Sequence, residues 1–292
     1  MLESESLGPG FLYSVVVIFG LLVGSFLNVV IYRLPRGESI VFPGSHCPAC
    51  SVAVKPWDNL PVLSYLLLRG RCRSCGGAIS LRYPAVELIT GLLFGAVLWF
   101  FGATWTAPVM MVFVAGLLVA ALVDLDHQII PDSISMGGCG FGLIFVPWVT
   151  AQAGAPYVAS LSYSLMGAIV GGGSLWLVGF LHARLSVALG REFPHWPDEG
   201  EAPPKPSEAD YWLWFPGLGL GDVKLLAMVG AFLGPLGALD TIVAASILGL
   251  LLGGLWALTR GDWNSPFGFG PAIAIGALCS VFIPVHRLLL MV

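Results

Sequence analysis

The sequence has few charged residues. They make up 10% of its 292 residues, hydrophobic residues make up 57%, and the mean hydropathy is +0.88. A soluble domain carries roughly 25% charged residues, because it must cover a surface that faces water. The composition therefore excludes a soluble globular protein and favours one that lies largely in a lipid bilayer.

The beginning of the sequence has no basic segment. Glu3 and Glu5 lie where a secretory signal peptide would carry lysine or arginine, so we expect no cleavable signal peptide. The first apolar run, residues 11–32, is long enough to span a bilayer and is followed at once by Arg33 and Arg36. We therefore expect its carboxyl end in the cytoplasm and the N-terminus outside.

Long apolar runs recur along the rest of the chain. A transmembrane helix needs about 20 such residues, and the sequence predicts an all-α polytopic protein with about eight of them. The predicted spans lie near residues 11–32, 85–102, 106–123, 133–150, 160–181, 223–238, 240–258 and 269–290. Basic residues concentrate in loops 33–84 and 182–224, and eight spans place both loops in the cytoplasm, as the positive-inside rule requires.

The loop at 33–84 carries four cysteines in two Cys-x-x-Cys pairs. They are Cys47, Cys50, Cys72 and Cys75. Two such pairs about 20 residues apart are typical of a tetrahedral thiolate site for structural zinc, and we predict a small zinc-ribbon-like domain here. Four independent thiols or two disulfides remain the alternative, although disulfides do not persist in the cytoplasm.

Acidic residues at the edges of spans are costly and usually functional. Asp124 continues the third span, whereas we expect Asp126 to be solvated and Asp132 to cap the next helix. Asp222 opens the sixth span after Gly219 and Gly221, and an N-cap role remains an alternative for it. The glycine-rich stretch lacks the Lys-Ser/Thr pair of a phosphate-binding loop. For Lys224 we expect snorkelling toward the membrane surface.

The topology places Asp124 and Asp222 at the same membrane face. Two carboxyl groups on different helices can share a proton, activate water and protonate a leaving amine, which is what hydrolysis of a peptide bond needs. Asp222 lies at a helix N-terminus and Asp124 at a helix C-terminus, so the helix dipoles favour Asp222 as the ionised base and Asp124 as the acid.

The order of these motifs resembles that of the type IV prepilin peptidases, over nearly the whole chain. The resemblance rests on residues 24–35, both cysteine pairs, and residues 56–61, 82–87, 124–132 and 219–225. It implies that Asp124 and Asp222 are the catalytic pair, supported by Gly219, Gly221 and Lys224. It also implies cleavage of the basic leader of prepilins or pseudopilins at the cytoplasmic face of the bacterial inner membrane.

The resemblance further implies methylation of the new N-terminus, with S-adenosylmethionine as the methyl donor. Gly70 and Arg71, beside the second cysteine pair, match a family element of the methyltransferase region. The cytoplasmic loop has no Rossmann-type glycine fingerprint, so its own residues do not reveal this activity. Prepilins and membrane lipid are the expected partners, and no nucleic acid is expected.

These expectations divide the chain into a first helix at 1–32, the cysteine module and methyltransferase region at 33–84, and a peptidase domain at 85–292. An acidic, proline-rich insertion at about 190–212 either attracts the basic leader or is a solvated linker. Three alternatives from other classes remain: a different intramembrane aspartyl protease, a non-enzymatic zinc-ribbon scaffold, and a proton-coupled transporter.

Overall fold

The computed structural model describes residues 9–191, 204–260 and 268–283. Residues 192–203 of the acidic insertion and residues 284–290 of the last predicted span lie outside these ranges. The chain forms two compact units, residues 1–119 and residues 120–292. Within the described ranges the structure is helical, with isolated β-bridges and no sheet. The predicted all-α fold is confirmed.

The described residues form nine α-helices. These are α1 Pro9–Arg33, α2 Leu63–Leu67, α3 Arg82–Phe101, α4 Thr106–His127, α5 Asp132–Gln152, α6 Tyr157–Ala188, α7 Asp210–Leu213, α8 Leu220–Arg260 and α9 Gly270–Phe282. Six of them (α1, α3, α4, α5, α6 and α8) are long and apolar enough to cross a membrane. The chain is therefore a multi-pass membrane protein.

Helix α8 contains a break at the Gly234-Pro235 pair, which the sequence also indicates as a break before the seventh predicted span. Gly234 has φ 72 and ψ −177, a non-helical conformation, and Pro235 follows it. Glycine adopts this backbone without steric cost, and proline starts a new helix because its missing N–H is not needed there. The described part of the chain thus has six helices able to span, one of them broken, and the short apolar α9, where the sequence predicts about eight spans.

In the first unit, glycines bring α1 and α3 into direct backbone contact. A Cβ added at Gly20 would lie 2.8 Å from the Cα of Gly91, and one added at Gly24 would lie 2.7 Å from the Cα of Glu87. Small residues allow this approach, which replaces the hydrophobic effect as the source of helix association in lipid. Asn28 adds a hydrogen bond from its Nδ2 to the carbonyl oxygen of Tyr83, 3.1 Å away.

In the second unit, α8 packs closely against α5 and α6. A Cβ added at Gly167 on α6 would overlap the carbonyl oxygen of Gly230, and one added at Gly138 on α5 would overlap the sulfur of Met228. Near α9, the hydroxyl of Thr241 donates to the Oγ of Ser280 at 3.0 Å. These contacts fix the position of α8, which begins at Leu220.

Candidate active site and metal centre

Asp124 is a buried carboxylate near the end of α4. Asp124 is 4% exposed, and its Oδ2 accepts a hydrogen bond of 2.8 Å from the backbone N–H of Gly270, the first residue of α9. The α4 helix ends three residues later, and Gln128 then adopts a left-handed φ of 54. Because Oδ2 is held as an acceptor, a proton carried by this carboxyl group would lie on Oδ1.

Two glycines around the start of α9 make room for this carboxylate. A Cβ added at Gly268 would overlap Oδ2 of Asp124, and one added at Gly270 would lie 2.8 Å from the same oxygen and 3.0 Å from the Asp124 Cβ. Sequence reasoning missed both residues, because glycine has no titratable group. The only available signal was the spacing Gly268-x-Gly270-Pro271 ahead of an apolar run.

Asp222 lies in the first turn of α8, after a tight backbone turn. Gly217 has a φ of 75, Phe215 and Leu218 form an isolated antiparallel bridge, and the N–H of Asp222 donates to the carbonyl oxygen of Gly219 at 3.2 Å. Since α8 begins at Leu220, Asp222 does not occupy the N-cap position. The N-cap alternative is therefore not supported.

The segment after Asp124 and the start of α8 are in contact. A Cβ added at Gly221 would meet the Cβ of Ile130 at 3.1 Å, so only glycine fits here without displacement. The carboxyl groups of Asp124 and Asp222 lie close enough to interact electrostatically. The structure thus brings together the two aspartates that the sequence singled out, on the ends of different helices.

Lys224 and Asp132 form an ion pair across the same junction. The Nζ of Lys224 lies 2.7 Å from Oδ1 and 2.9 Å from Oδ2 of Asp132. Each of the two residues thus has a partner of opposite charge in direct contact. One expectation was wrong: Asp132 does not cap α5, whose N-cap is Pro131. The expected snorkelling of Lys224 stays a prediction. Asp126 is exposed, as expected.

The arrangement has the parts required for acid–base hydrolysis. One carboxyl group is buried and oriented by a backbone N–H, and a second one, on another helix, is close enough to influence it electrostatically. A pair of this kind can hold one proton between two oxygens and pass it to or from a water molecule.

The four cysteines of the first unit converge to form one cluster. The sulfurs of Cys47, Cys50, Cys72 and Cys75 all lie within 4.8 Å of one another, and those of Cys47 and Cys75 are 3.9 Å apart. Tetrahedral zinc with Zn–S bonds of about 2.3 Å needs sulfurs about 3.8 Å apart. The cluster could therefore hold a metal ion with little rearrangement.

Both cysteine pairs have the same backbone structure, and each forms a knuckle. In the first, the N–H of Cys47 donates to the oxygen of Val52 at 2.9 Å; in the second, the N–H of Cys72 donates to the oxygen of Gly77 at 2.8 Å. The backbone N–H groups of Cys75 and Ser74 lower the pKa of the Cys72 thiol to about 7, which favours the thiolate that a metal requires.

Gly70 and Arg71 belong to the second knuckle. Gly70 is buried with a φ of 66, and an added Cβ would lie 2.9 Å from the hydroxyl oxygen of Tyr65. Arg71 is exposed and forms an isolated bridge with Ala78. The structure thus gives Gly70 a conformational role and leaves the side chain of Arg71 available at the surface.

Arg73 ties the second knuckle to the turn at Pro56–Asn59. Its Nε donates to Asp58 Oδ2 at 2.8 Å and its Nη2 to Oδ1 at 2.6 Å, a bidentate pair. The Arg73 guanidinium holds the pKa of the Asp58 carboxyl group below its usual value. This contact joins the two halves of the cysteine module.

Comparison with known proteins identifies the family of the chain. The family described as the bacterial peptidase A24 N-terminal domain matches residues 18–101, and the type IV leader peptidase family matches residues 111–254. The prepilin leader peptidase/N-methyltransferase of Pseudomonas aeruginosa is 37% identical over 89% of this chain and 86% of its own length. The chain belongs to the type IV leader peptidase family.

Further relatives bear the same name. The prepilin leader peptidase/N-methyltransferase of Neisseria gonorrhoeae is 35% identical over 94% of this chain and 91% of its own length. That of Myxococcus xanthus is 39% identical over 87% of this chain and 67% of its own length. No solved structure matches the chain. The predicted family and enzyme class are confirmed, and the scaffold and transporter alternatives are not favoured.

Proposed function

We propose that this membrane protein removes the leader peptide of type IV prepilins or pseudopilins and then methylates the new N-terminus. Asp124 and Asp222 are the catalytic pair. The observation that carries this proposal is the buried carboxylate of Asp124, held by the Gly270 N–H beside the carboxyl group of Asp222 on another helix. A structural carboxylate would be paired with a cation, whereas this one interacts electrostatically with a second acid.

In the proposed hydrolysis, a water molecule lies between the two carboxyl groups. Asp222, as the ionised base, accepts a proton from the water. The water oxygen attacks the peptide carbonyl carbon at the same time, and Asp124 donates its proton to the carbonyl oxygen. The tetrahedral intermediate then loses the leaving amine, which takes up the proton from Asp222, and Asp124 recovers the proton of the hydroxyl group. Each carboxyl group ends in the state in which it started.

Gly219, Gly221 and Lys224 support the pair in this proposal. The glycines form the turn that ends at Asp222, and Gly221 leaves room for Ile130. The ion pair of Lys224 with Asp132 ties the start of α8 to the start of α5. Together they set where the Asp222 carboxyl group stands relative to Asp124.

The metal of the cysteine cluster is zinc in this proposal, and its role is structural. Four thiolates would occupy all four coordination positions of a zinc ion and would leave none for water or substrate. Bound zinc would neutralise the thiolate charges and would cross-link two knuckles that no sheet joins in the described ranges. A cytoplasmic loop of this size needs such a cross-link because it has few buried apolar side chains.

S-adenosylmethionine supplies an electrophilic methyl group on a positively charged sulfur. The chain must bind the donor and present the new α-amino group to it in the unprotonated state. Gly70 and Arg71 remain candidate residues of this region. The relatives are named for both activities, which supports a chain that carries both in the inner membrane, with the cysteine module and dyad on the cytoplasmic side.

Incubation of the purified protein with a prepilin tests the proposal. With S-adenosylmethionine present, mass spectrometry should show loss of the leader and gain of one methyl group on the new N-terminal residue. Without the donor, only the leader should be lost. An intact prepilin after incubation with folded, zinc-loaded protein would contradict the peptidase, and a cleaved but unmethylated product in the presence of the donor would contradict the methyltransferase.

A further inference from the structure

Arg33, the last residue of α1, is a buried cation. It is 6% exposed, with its Nη1 donating to the carbonyl oxygen of Ser39 at 3.0 Å and its Nη2 to that of Gly44 at 3.4 Å. Those two bonds use two of the five guanidinium N–H groups. Among the residues that the structure describes, no carboxylate pairs with it.

A buried arginine without a counter-charge is uncommon. The loss of hydration around a charged group costs several kcal/mol, and backbone carbonyl oxygens return only part of it. Buried charges are therefore normally paired or bound to a ligand of opposite sign. The position of Arg33 at a cleft gives such a ligand a way to reach it.

The cleft has a volume of about 250 Å³ and two walls of different chemistry. One wall is a single face of α1, where Ser25, Phe26 and Val29 lie at helical spacing ahead of Arg33. The other wall is formed by Ile40, Val41 and residues 43–45 together with Asn59. A ligand in this cleft thus meets one fixed positive charge, three neutral polar side chains (Ser25, Ser45 and Asn59) and an apolar surface.

The part of α1 that carries Ser25 is held in place by a hydrogen bond to α3. Glu87 on α3 is 8% exposed, and its carboxylate accepts a hydrogen bond of 2.7 Å from the backbone N–H of Val62 as well as one from Ser25. Val62 has a φ of 59, which is strained for a β-branched residue and requires support of this kind. The cleft is therefore part of an ordered region and does not lie between two loosely joined segments.

We propose that this cleft binds the α-carboxylate of S-adenosylmethionine and that Arg33 is the residue that recognises it. The assignment rests on the proposed methyltransferase activity. A guanidinium presents its N–H groups in a planar fork that matches a carboxylate, and such charge-assisted hydrogen bonds are about twice as strong as neutral ones. Ser25 and Asn59 suit the amino group and hydroxyls of the donor, and Phe26 offers an apolar surface to its remaining part. The volume is slightly below the usual range of about 300–1,000 Å³ for ligand pockets, so the methionine half fills it and the nucleoside occupies the mouth.

The phosphate of a membrane lipid offers similar anionic oxygens, so the experiment must distinguish S-adenosylmethionine from a lipid as the ligand of the cleft. Titration calorimetry on the zinc-loaded protein in detergent would use three probes. S-adenosylmethionine and S-adenosylhomocysteine both keep the carboxylate, whereas decarboxylated S-adenosylmethionine lacks it. We expect the wild-type protein to bind the decarboxylated probe about 10- to 100-fold more weakly than the other two.

Substitution of Arg33 completes the comparison. Arg33→Gln should bind S-adenosylmethionine about as weakly as the wild-type protein binds the decarboxylated probe, and it should no longer discriminate between them. Arg33→Lys keeps the charge without the fork and should fall between the two. Arg36→Gln is the matched control, because Arg36 is an exposed arginine one turn away that contacts the ring of Tyr32, and it should bind all three probes like the wild type.

Two outcomes would overturn the assignment. Equal affinity of the wild-type protein for the carboxylated and decarboxylated probes would do so without any variant, even if Arg33→Gln does not fold. The same conclusion follows if native mass spectrometry shows that Arg33→Gln loses a bound anionic lipid while its preference for the carboxylated probe is kept. A wild-type protein that methylates cleaved prepilin with either result leaves the proposed function intact, whereas one that neither binds the donor nor methylates contradicts the proposed function itself.

Discussion

Replacement of Gly270 by alanine tests whether the position of the Asp124 carboxylate matters for cleavage. The new Cβ would lie 2.8 Å from Oδ2 and 3.0 Å from the Asp124 Cβ, whereas ordinary contacts begin at 3.4 Å. Because Asp124 is buried, it has little space to move away, and the carboxylate or the start of α9 must shift by about 0.6 Å. The hydrogen bond from the Gly270 N–H would be distorted by the same shift.

A displacement of this size is expected to slow hydrolysis. A reacting group misplaced by about 1 Å costs about 100-fold in rate, so Gly270→Ala should lower kcat/KM for prepilin cleavage by about 10- to 100-fold. That corresponds to about 1.4–2.7 kcal/mol of transition-state stabilisation. The assay is the initial rate of leader release from a purified prepilin in detergent, at fixed enzyme concentration and several substrate concentrations.

Gly140→Ala is the matched control. Gly140 lies on α5 in the same unit, and an added Cβ would meet nothing within 4 Å. This variant should cleave at the wild-type rate. If Gly270→Ala also cleaves at that rate while its thermal unfolding is unchanged, the carboxylate of Asp124 is not held where the reaction requires it, and the reasoning from the glycine contacts is refuted.

Three further predictions concern the supports of the two sites. Lys224→Met and Asp132→Asn should each lower the free energy of unfolding by less than about 1 kcal/mol, and the double variant should lower it by no more than either, because the pair is partly exposed; additive losses in thermal unfolding would show that the two do not interact. Gly167→Ala should destabilise the protein by about 1–3 kcal/mol, since its Cβ would overlap a carbonyl oxygen of α8, whereas Gly173→Ala, with open space around it, should not; equal melting temperatures for the two variants would contradict this packing. Cys72→Ser should abolish stoichiometric zinc in the purified protein, as measured by elemental analysis, while serine at either cysteine outside the four should leave it unchanged; full zinc content in Cys72→Ser would exclude that thiol as a ligand.

The sequence predicts which residues come together in the two candidate sites better than it predicts the contacts around them. Asp124 and Asp222 could be found because charge at the edge of an apolar span is costly, and because the positive-inside rule places both at one membrane face. The cysteine cluster could be found because two Cys-x-x-Cys pairs at this spacing are typical of a metal site. Each of these arguments depends on local residue types and on topology alone.

What the sequence could not predict depends on contacts between distant segments. The glycines that make room for Asp124 lie 144 and 146 residues away from it, and their function is to lack a side chain. The ion pair between Lys224 and Asp132 joins positions 92 residues apart. The burial of Arg33 was also hidden, because basic residues after a span are usually solvated. Such features require the packed structure.

The central claim is that Asp124 and Asp222 together hydrolyse the prepilin leader peptide. Asp124→Asn and Asp222→Asn preserve the size of each side chain and remove only its acid–base function. Each variant should lower the rate of prepilin cleavage by at least about 1,000-fold, while methylation of an already cleaved pilin continues and shows that the protein is folded. Cleavage by either variant at a rate close to that of the wild type would contradict the account.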